Sequence, residues 1–199
     1  MSMLGMFTLL AYGGWIALGA VVLLVLWFLG AYNGLVALKN NGKEAWAQID
    51  VQLKRRHDLI PNLIATAKGY MKHEAGTLEA VIAARQTAVN ITADPNMGPA
   101  AVAKAEGALA GVMKQFMMLT ENYPDLKADK QMLQVQEELT STENRIAFAR
   151  QHYNDSVRRY NTKLEQIPTN IVKNFGDFPA LEFFELQDEA QREAPKVEF

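Results

Sequence analysis

The sequence contains no cysteine, and its first 38 residues carry no Lys, Arg, Asp or Glu. Without cysteine there is no disulfide framework, no thiolate metal site and no cysteine nucleophile, and the redox compartment stays open. The 20 Lys and Arg nearly balance the 22 Asp and Glu, for a net charge of −2. The basic excess that nucleic-acid binding requires is missing, which excludes that class of partner. Also missing are a Gly-rich phosphate loop, a Gly-x-Ser-x-Gly elbow and a His-Glu-x-x-His helix. A di-iron bundle needs Glu-x-x-His pairs, but Lys54, Tyr70 and Ala149 stand three residues before His57, His73 and His152. His152 and Asp155 share a helix face, a spacing that is more often a surface hydrogen bond than a ligand pair. The expectation is a protein that is not an enzyme, with no catalytic, cofactor-binding or metal residues.

The charge-free start is itself a signal, since at a charged fraction of about a quarter a run of that length arises by chance on the order of 10⁻⁵. Thr8 to Gly30 is uninterrupted apolar sequence, long enough as one helix to cross a ~30 Å hydrocarbon core. Tyr12 and Tyr32 stand where interfacial aromatics sit. The competing reading is a cleaved signal peptide with Leu29-Gly30-Ala31 at its end. Against it, no Lys or Arg precedes the apolar stretch, which exceeds the ~7–15 residues of a signal core. Lys39 and Lys43 follow the span, so the positive-inside rule puts the N-terminus outside and the rest in the cytoplasm. Gly13, Ala17 and Ala20 form a ridge of small residues of the kind that lets membrane helices pack closely, although such residues are frequent in membrane helices anyway.

Beyond the span the apolar residues recur at helical spacing. One stripe runs through Leu35, Leu38, Ala45 or Trp46, Ile49, Leu53, Ile60, Leu63 and Ala67, with Asn33-Gly34 tolerated and Pro61 expected to kink the helix by removing the bond to the His57 carbonyl. Leu78, Val81, Ile82, Arg85 and Val89 mark a second helix that ends before Thr92-Ala93-Asp94-Pro95-Asn96. Pro99 opens a third, with Val102, Ala105, Leu109, Val112, Phe116 and Leu119 in coiled-coil-like spacing. The fourth carries Val135, Leu139, Thr142, Ile146, Ala149, Tyr153, Val157, Tyr160, Leu164 and Ile167 and stops at Pro168. The expected fold is all-α: an N-terminal transmembrane helix over residues 1–34, an elongated antiparallel four-helix bundle over 35–167, and a tail over 168–199 that is first aromatic and then acidic.

Two polar or sticky features lie outside the apolar seams. The first is Lys54-Arg55-Arg56-His57-Asp58 with Asn62. It lies roughly 33 Å along the helix past Tyr32, several Debye lengths from a membrane surface, which argues against a headgroup site. Because it fills more than one turn, part of it must face other helices, and Asn144, Arg145, Arg150 and Asn154 on the last helix are candidate partners for an inter-helix polar layer that sets register. A solvated basic face is the alternative. The second feature is Phe175, Phe178, Leu181, Phe183 and Phe184 in the tail, which either pack on their own bundle or dock on a neighbour. Tyr153-Asn154 and Tyr160-Asn161, one heptad apart, place two tyrosines on one face and two asparagines on another.

YNGLVALKN, AWAQIDVQLKRRHDLIPNLI, KGYMKHE, LQVQEELTSTENRIAFAR, YNDSVRRYNTKL and the terminal KVEF resemble the LemA family of bacterial membrane proteins over nearly the whole chain. The pattern AWxQIDVQLKRRxDLIPNL stands at Ala45 to Leu63, and ELxxTENRIAxAR at Glu138 to Arg150. The resemblance implies a transmembrane helix followed by a four-helix bundle, no established catalysis, no catalytic residues to carry over, and roles in membrane organisation, since the family includes a magnetosome-associated relative. PALEFFELQDEAQ, between Phe178 and Arg192, departs from the family pattern. The resulting expectation is a single-pass protein of the bacterial inner membrane that self-assembles as a homo-oligomeric scaffold, with the lipid bilayer as its first partner. An adaptor for another membrane protein, such as a membrane protease, docking through the tail, is the alternative. A cryptic metal enzyme built on His57, His73 or His152 ranks last.

Overall fold

A computed structural model of the chain describes residues 3–185, with side chains from Tyr12 onward. The acidic end of the tail and the terminal Lys196-Val197-Glu198-Phe199 lie outside the described residues. Among the described residues all regular structure is helical. Helix α1 runs unbroken over Met3–Lys68. Helix α2 follows over Ala75–Ala93, α3 over Pro99–Thr120, a single turn α4 over Pro124–Lys127, α5 over Lys130–Glu165, and a single turn α6 over Thr169–Val172 that tightens into a 3₁₀ turn at Lys173–Phe175.

Local chemistry explains the boundaries. Helix α1 ends one residue before Gly69. Pro99 takes the first position of α3, where its missing N–H costs nothing. Asp129 caps α5: its Oδ1 accepts the backbone N–H groups of Gln131 at 2.8 Å and Met132 at 3.0 Å. Those bonds, with one from the Tyr70 hydroxyl, hold the Asp129 carboxyl below the usual carboxylate range. At Pro61 the helix continues without a break. The carbonyl that proline leaves without a donor, that of His57, instead accepts Arg85 Nε–H from α2 at 2.6 Å.

The chain divides into two compact units, with α1 and α5 each contributing to both. The larger comprises Lys43–Val157 with the chain from Glu182. In it the lower part of α1, α2, α3 and α5 enclose a core of Ile60, Leu63, Ala67, Met71, Val81, Ala88, Leu109, Phe116, Leu126 and Met132. Each large side chain buried there contributes on the order of 1.5–3 kcal/mol. The stripe expected on α1 is the buried one: Ala45, Ile49, Leu53, Ile60, Leu63 and Ala67 are all fully buried. On α2 the buried seam runs through Leu78, Val81 and Ala88, with Ile82 half exposed, and Arg85 reaches the His57 carbonyl. The smaller unit comprises the chain up to Gly42 with Arg158–Leu181. Its core is Leu35, Tyr160, Leu164 and Val172, flanked by Tyr32, Phe178 and Leu181. Ile167, expected at the end of the α5 seam, is instead 84% exposed, since the helix has already ended at Glu165.

Candidate functional site

Three features carry functional information. The first is the apolar part of α1, which is long and apolar enough to cross a membrane and whose residues from Tyr12 to Trp27 are all exposed. Gly13, Ala17 and Ala20 lie exposed along it, and a Cβ added at Gly13 would meet nothing within 4 Å. Asn33-Gly34 interrupts nothing, as the helix passes straight through both.

The second is an ionic cluster buried in the larger unit. Arg56 and His57 are adjacent on α1, and Glu106 projects from α3. All three are buried, Glu106 to 1% exposure. Each Glu106 oxygen has its own partner: Oε2 accepts Arg56 Nη2–H, and Oε1 pairs with His57 Nε2 at 2.7 Å. Arg56 Nη1 donates in addition to Glu143 Oε2 of α5 at 2.9 Å. One guanidinium thus ties three helices together. Burial first, then the charges of Arg56 and Arg85 against a smaller opposing effect of Asp58, lowers the His57 pKa to about 4. His57 is therefore a neutral donor at physiological pH. With both carboxylate oxygens paired, the cluster ties α1 to α3 and α5 in one register.

The structure brings together only part of the polar set expected from sequence. Arg56 and His57 form the cluster. Arg55, Asp58, Asn62, Asn144 and Arg145 are exposed and stand outside it, Arg150 is half-buried, and Asn154 turns to the tail instead. The decisive acid, Glu106, lies on the third helix rather than the last. A signal for it existed: Glu106 follows Val102 by four residues and precedes Leu109 by three, a single charge on an apolar face. Among the described residues no group of three His, Asp or Glu side chains is arranged to hold a metal ion.

The third feature is the described part of the tail, which packs on its own chain. In the larger unit, Phe184 is buried against Trp46, with ring centroids 5.6 Å apart, and Trp46 in turn meets Tyr153 at 5.3 Å. The Asn154 side chain reads the backbone of Phe184 twice, accepting its N–H at 2.9 Å and donating to its carbonyl at 3.1 Å. The Tyr153 hydroxyl donates to the Glu182 carbonyl at 2.8 Å, and burial, followed by the nearby Glu182 charge, pushes its pKa up to about 12. The smaller unit uses the same device: Asn161 accepts the Leu181 N–H at 3.0 Å and donates to the Leu181 carbonyl at 2.9 Å. Leu181 there lies over Gly42, where a Cβ would come within 2.7 Å of its Cδ1. Phe178 meets the Tyr32 ring edge-on and Phe175 the Phe28 ring, both at 5.3 Å, while Lys39 binds the Asp177 carboxylate at 3.1 Å. Phe183 remains 37% exposed.

Comparison with known proteins adds the following. The model of the LemA family matches residues 45–199. Protein LemA of Metamycoplasma hominis is 29% identical over 146 residues, covering 73% of this chain and 64% of that protein's length. Magnetosome protein MamQ 2 of Paramagnetospirillum magneticum is 21% identical over 187 residues, covering 83% and 69%. Magnetosome protein MamQ of Magnetospirillum gryphiswaldense is 20% identical over 174 residues, covering 77% and 64%. The chain thus spans about two thirds of the length of these relatives.

Proposed function

Because the chain belongs to the LemA family, we propose that it is a membrane-anchored, non-catalytic protein whose helical bundle self-assembles into a scaffold at the bacterial inner membrane. The observation that carries this reading is the continuity of α1, which leads from the exposed apolar stretch through Asn33-Gly34 to the fully buried Ala45, Ile49 and Leu53. Within the smaller unit the span thus passes to the packed Leu35 without a flexible linker, which supports a common orientation of anchored copies. Lys39 and Lys43 after the span support a single-pass topology with the bundle on the cytoplasmic side. The ridge of Gly13, Ala17 and Ala20 offers helix packing within the bilayer.

The adaptor reading used the aromatic tail as its docking element. Leu181 and Phe184 are already engaged by Asn161, Asn154 and Trp46 of the same chain, which favours self-assembly over it. The mass of the full-length protein in mild detergent decides the matter. An oligomer is expected at micromolar concentration, and a strict monomer overturns the assembly.

A further inference from the structure

In the smaller unit, the segment that follows α5 is two-sided. Thr169 and Val172 point inward, and Val172 joins the core of Leu35, Tyr160 and Leu164. Ile167, Ile171 and Phe175, at every fourth position, are held outward at 84%, 57% and 67% exposure. Ile167 is the most exposed large apolar side chain among the described residues, those of the span included. Apolar groups presented together in this way mark a contact surface. Their level along α1 is given by aromatic contacts. Phe175 packs edge-on against Phe28 at 5.3 Å, and Phe178 meets Tyr32, one helical turn or ~6 Å further along α1, at the same distance. Gly176 lies so near Tyr32 that a Cβ there would come within 3.1 Å of the ring. From Phe175 to Phe178 the chain therefore climbs α1 from the end of its apolar stretch.

We propose that Ile167, Ile171 and Phe175 form a foot that dips into the lipid–water interface beside the span, so that the smaller unit touches the bilayer at a second point. The proposal rests on the reading of α1 as a membrane span and is independent of self-assembly. Counted from Thr8, ~20 residues cross a hydrocarbon core, which brings α1 to its edge near Trp27 and Phe28. The lipid that surrounds α1 at Phe28 is thus the lipid that Phe175 meets. Interfacial elements bury their apolar side about 5–10 Å deep, and one turn of α1 below Tyr32 lies within that range. The flanking charge is mixed, since Lys163 and Lys173 stand against Glu165 while Asp177 is paired with Lys39. Apolar burial rather than attraction to acidic lipid carries the contact. A lone span is free to turn about its axis and to tilt. An anchor placed to one side of it limits both motions.

Because the chain has no cysteine of its own, single probes can be placed at will. Full-length Ile167→Cys and Ile171→Cys, both changed at exposed positions, each receive a polarity-sensitive fluorophore and are reconstituted in phosphatidylcholine vesicles. Blue-shifted emission is expected from both, with about twofold or greater quenching by a lipid that carries a nitroxide just below its headgroup. The same fluorophore at Arg159→Cys, exposed on α5 in the same unit, should emit as in water. At Leu23→Cys, in the span, it should be quenched by a nitroxide near the bilayer centre. Water-like emission at 167 and 171 with Leu23→Cys quenched overturns the foot and leaves the anchor standing. Blue-shifted emission that no lipid quenches also overturns it, because another protein surface then covers the segment, and so does equal quenching at Arg159→Cys. An unquenched Leu23→Cys removes the span and the foot together.

Discussion

Removing the carboxylate of Glu106 should unlock the bundle. Glu106→Ala deletes two charge-assisted hydrogen bonds at a site of 1% exposure, each on the order of 1.5–3 kcal/mol. It also leaves Arg56, itself 6% exposed, with only Glu143, whose side chain is half in solvent. His57 is left without an acceptor for its ring N–H. Breaking a buried ion pair from one side costs about 3–5 kcal/mol, in line with the sum of the two bonds. For a protein of this size about 1 kcal/mol moves Tm by ~2–4 °C, so a fall of roughly 6–20 °C is expected. Thermal unfolding of the full-length protein in mild detergent, followed by circular dichroism, measures it. A triple replacement, Arg56→Met with His57→Leu and Glu106→Leu, separates charge from packing. With no ion left to desolvate, it should recover most of the loss. A cost below about 1 kcal/mol for Glu106→Ala, or a triple variant no better than the single one, would refute the account of the cluster as a set of mutually dependent buried charges.

Three further outcomes follow from the same structure. The His57 pKa falls from 6.5 to about 4 on folding, so the unfolded chain binds more protons in that range and stability drops as pH falls from about 6.5 to 4. The loss is on the order of 3 kcal/mol and should shrink by that amount in His57→Asn, read from urea midpoints across pH. Asn154→Ala removes both bonds to the Phe184 backbone, and its amide should exchange with solvent about tenfold faster or more in hydrogen exchange of the full-length protein. Unchanged exchange would mean the asparagine does not hold the tail. Prolines at positions 33 and 34 together should break α1 between span and bundle at ~3 kcal/mol each while sparing membrane insertion. Unchanged assembly in that variant would count against stiff coupling.

Much of the fold was legible because periodic burial leaves a periodic trace. The stripe of α1, the proline that opens α3 and the stop near Pro168 all follow from spacing and backbone chemistry. Arg56 and His57 stood out as charges too dense for one turn to keep in water. Glu106 was missed because the seam was read through apolar residues alone, whereas the buried face of α3 is wide enough to take in both Ala105 and Glu106. Ile82 was placed on the seam of α2 beside Val81, but the buried face runs through Leu78, Val81 and Ala88, with Arg85 on the same side bound to the His57 carbonyl. The placement of the tail on its own chain had no composition signal, since Asn154 and Asn161 recognise main-chain atoms, which every sequence carries.

That mode of recognition has an evolutionary consequence. An amide that grips a peptide N–H and C=O constrains the path of the segment and says almost nothing about its spelling. At positions 181 and 184 the clamps themselves forbid one residue alone, proline, which has no N–H to offer. Among the described tail residues that neither pack nor face a clamp, substitutions can accumulate while Asn161 and Asn154 hold the backbone at positions 181 and 184. The two asparagines seven residues apart on α5, together with the packed Leu181 and Phe184 side chains, rather than the spelling around them, then define how the tail is held.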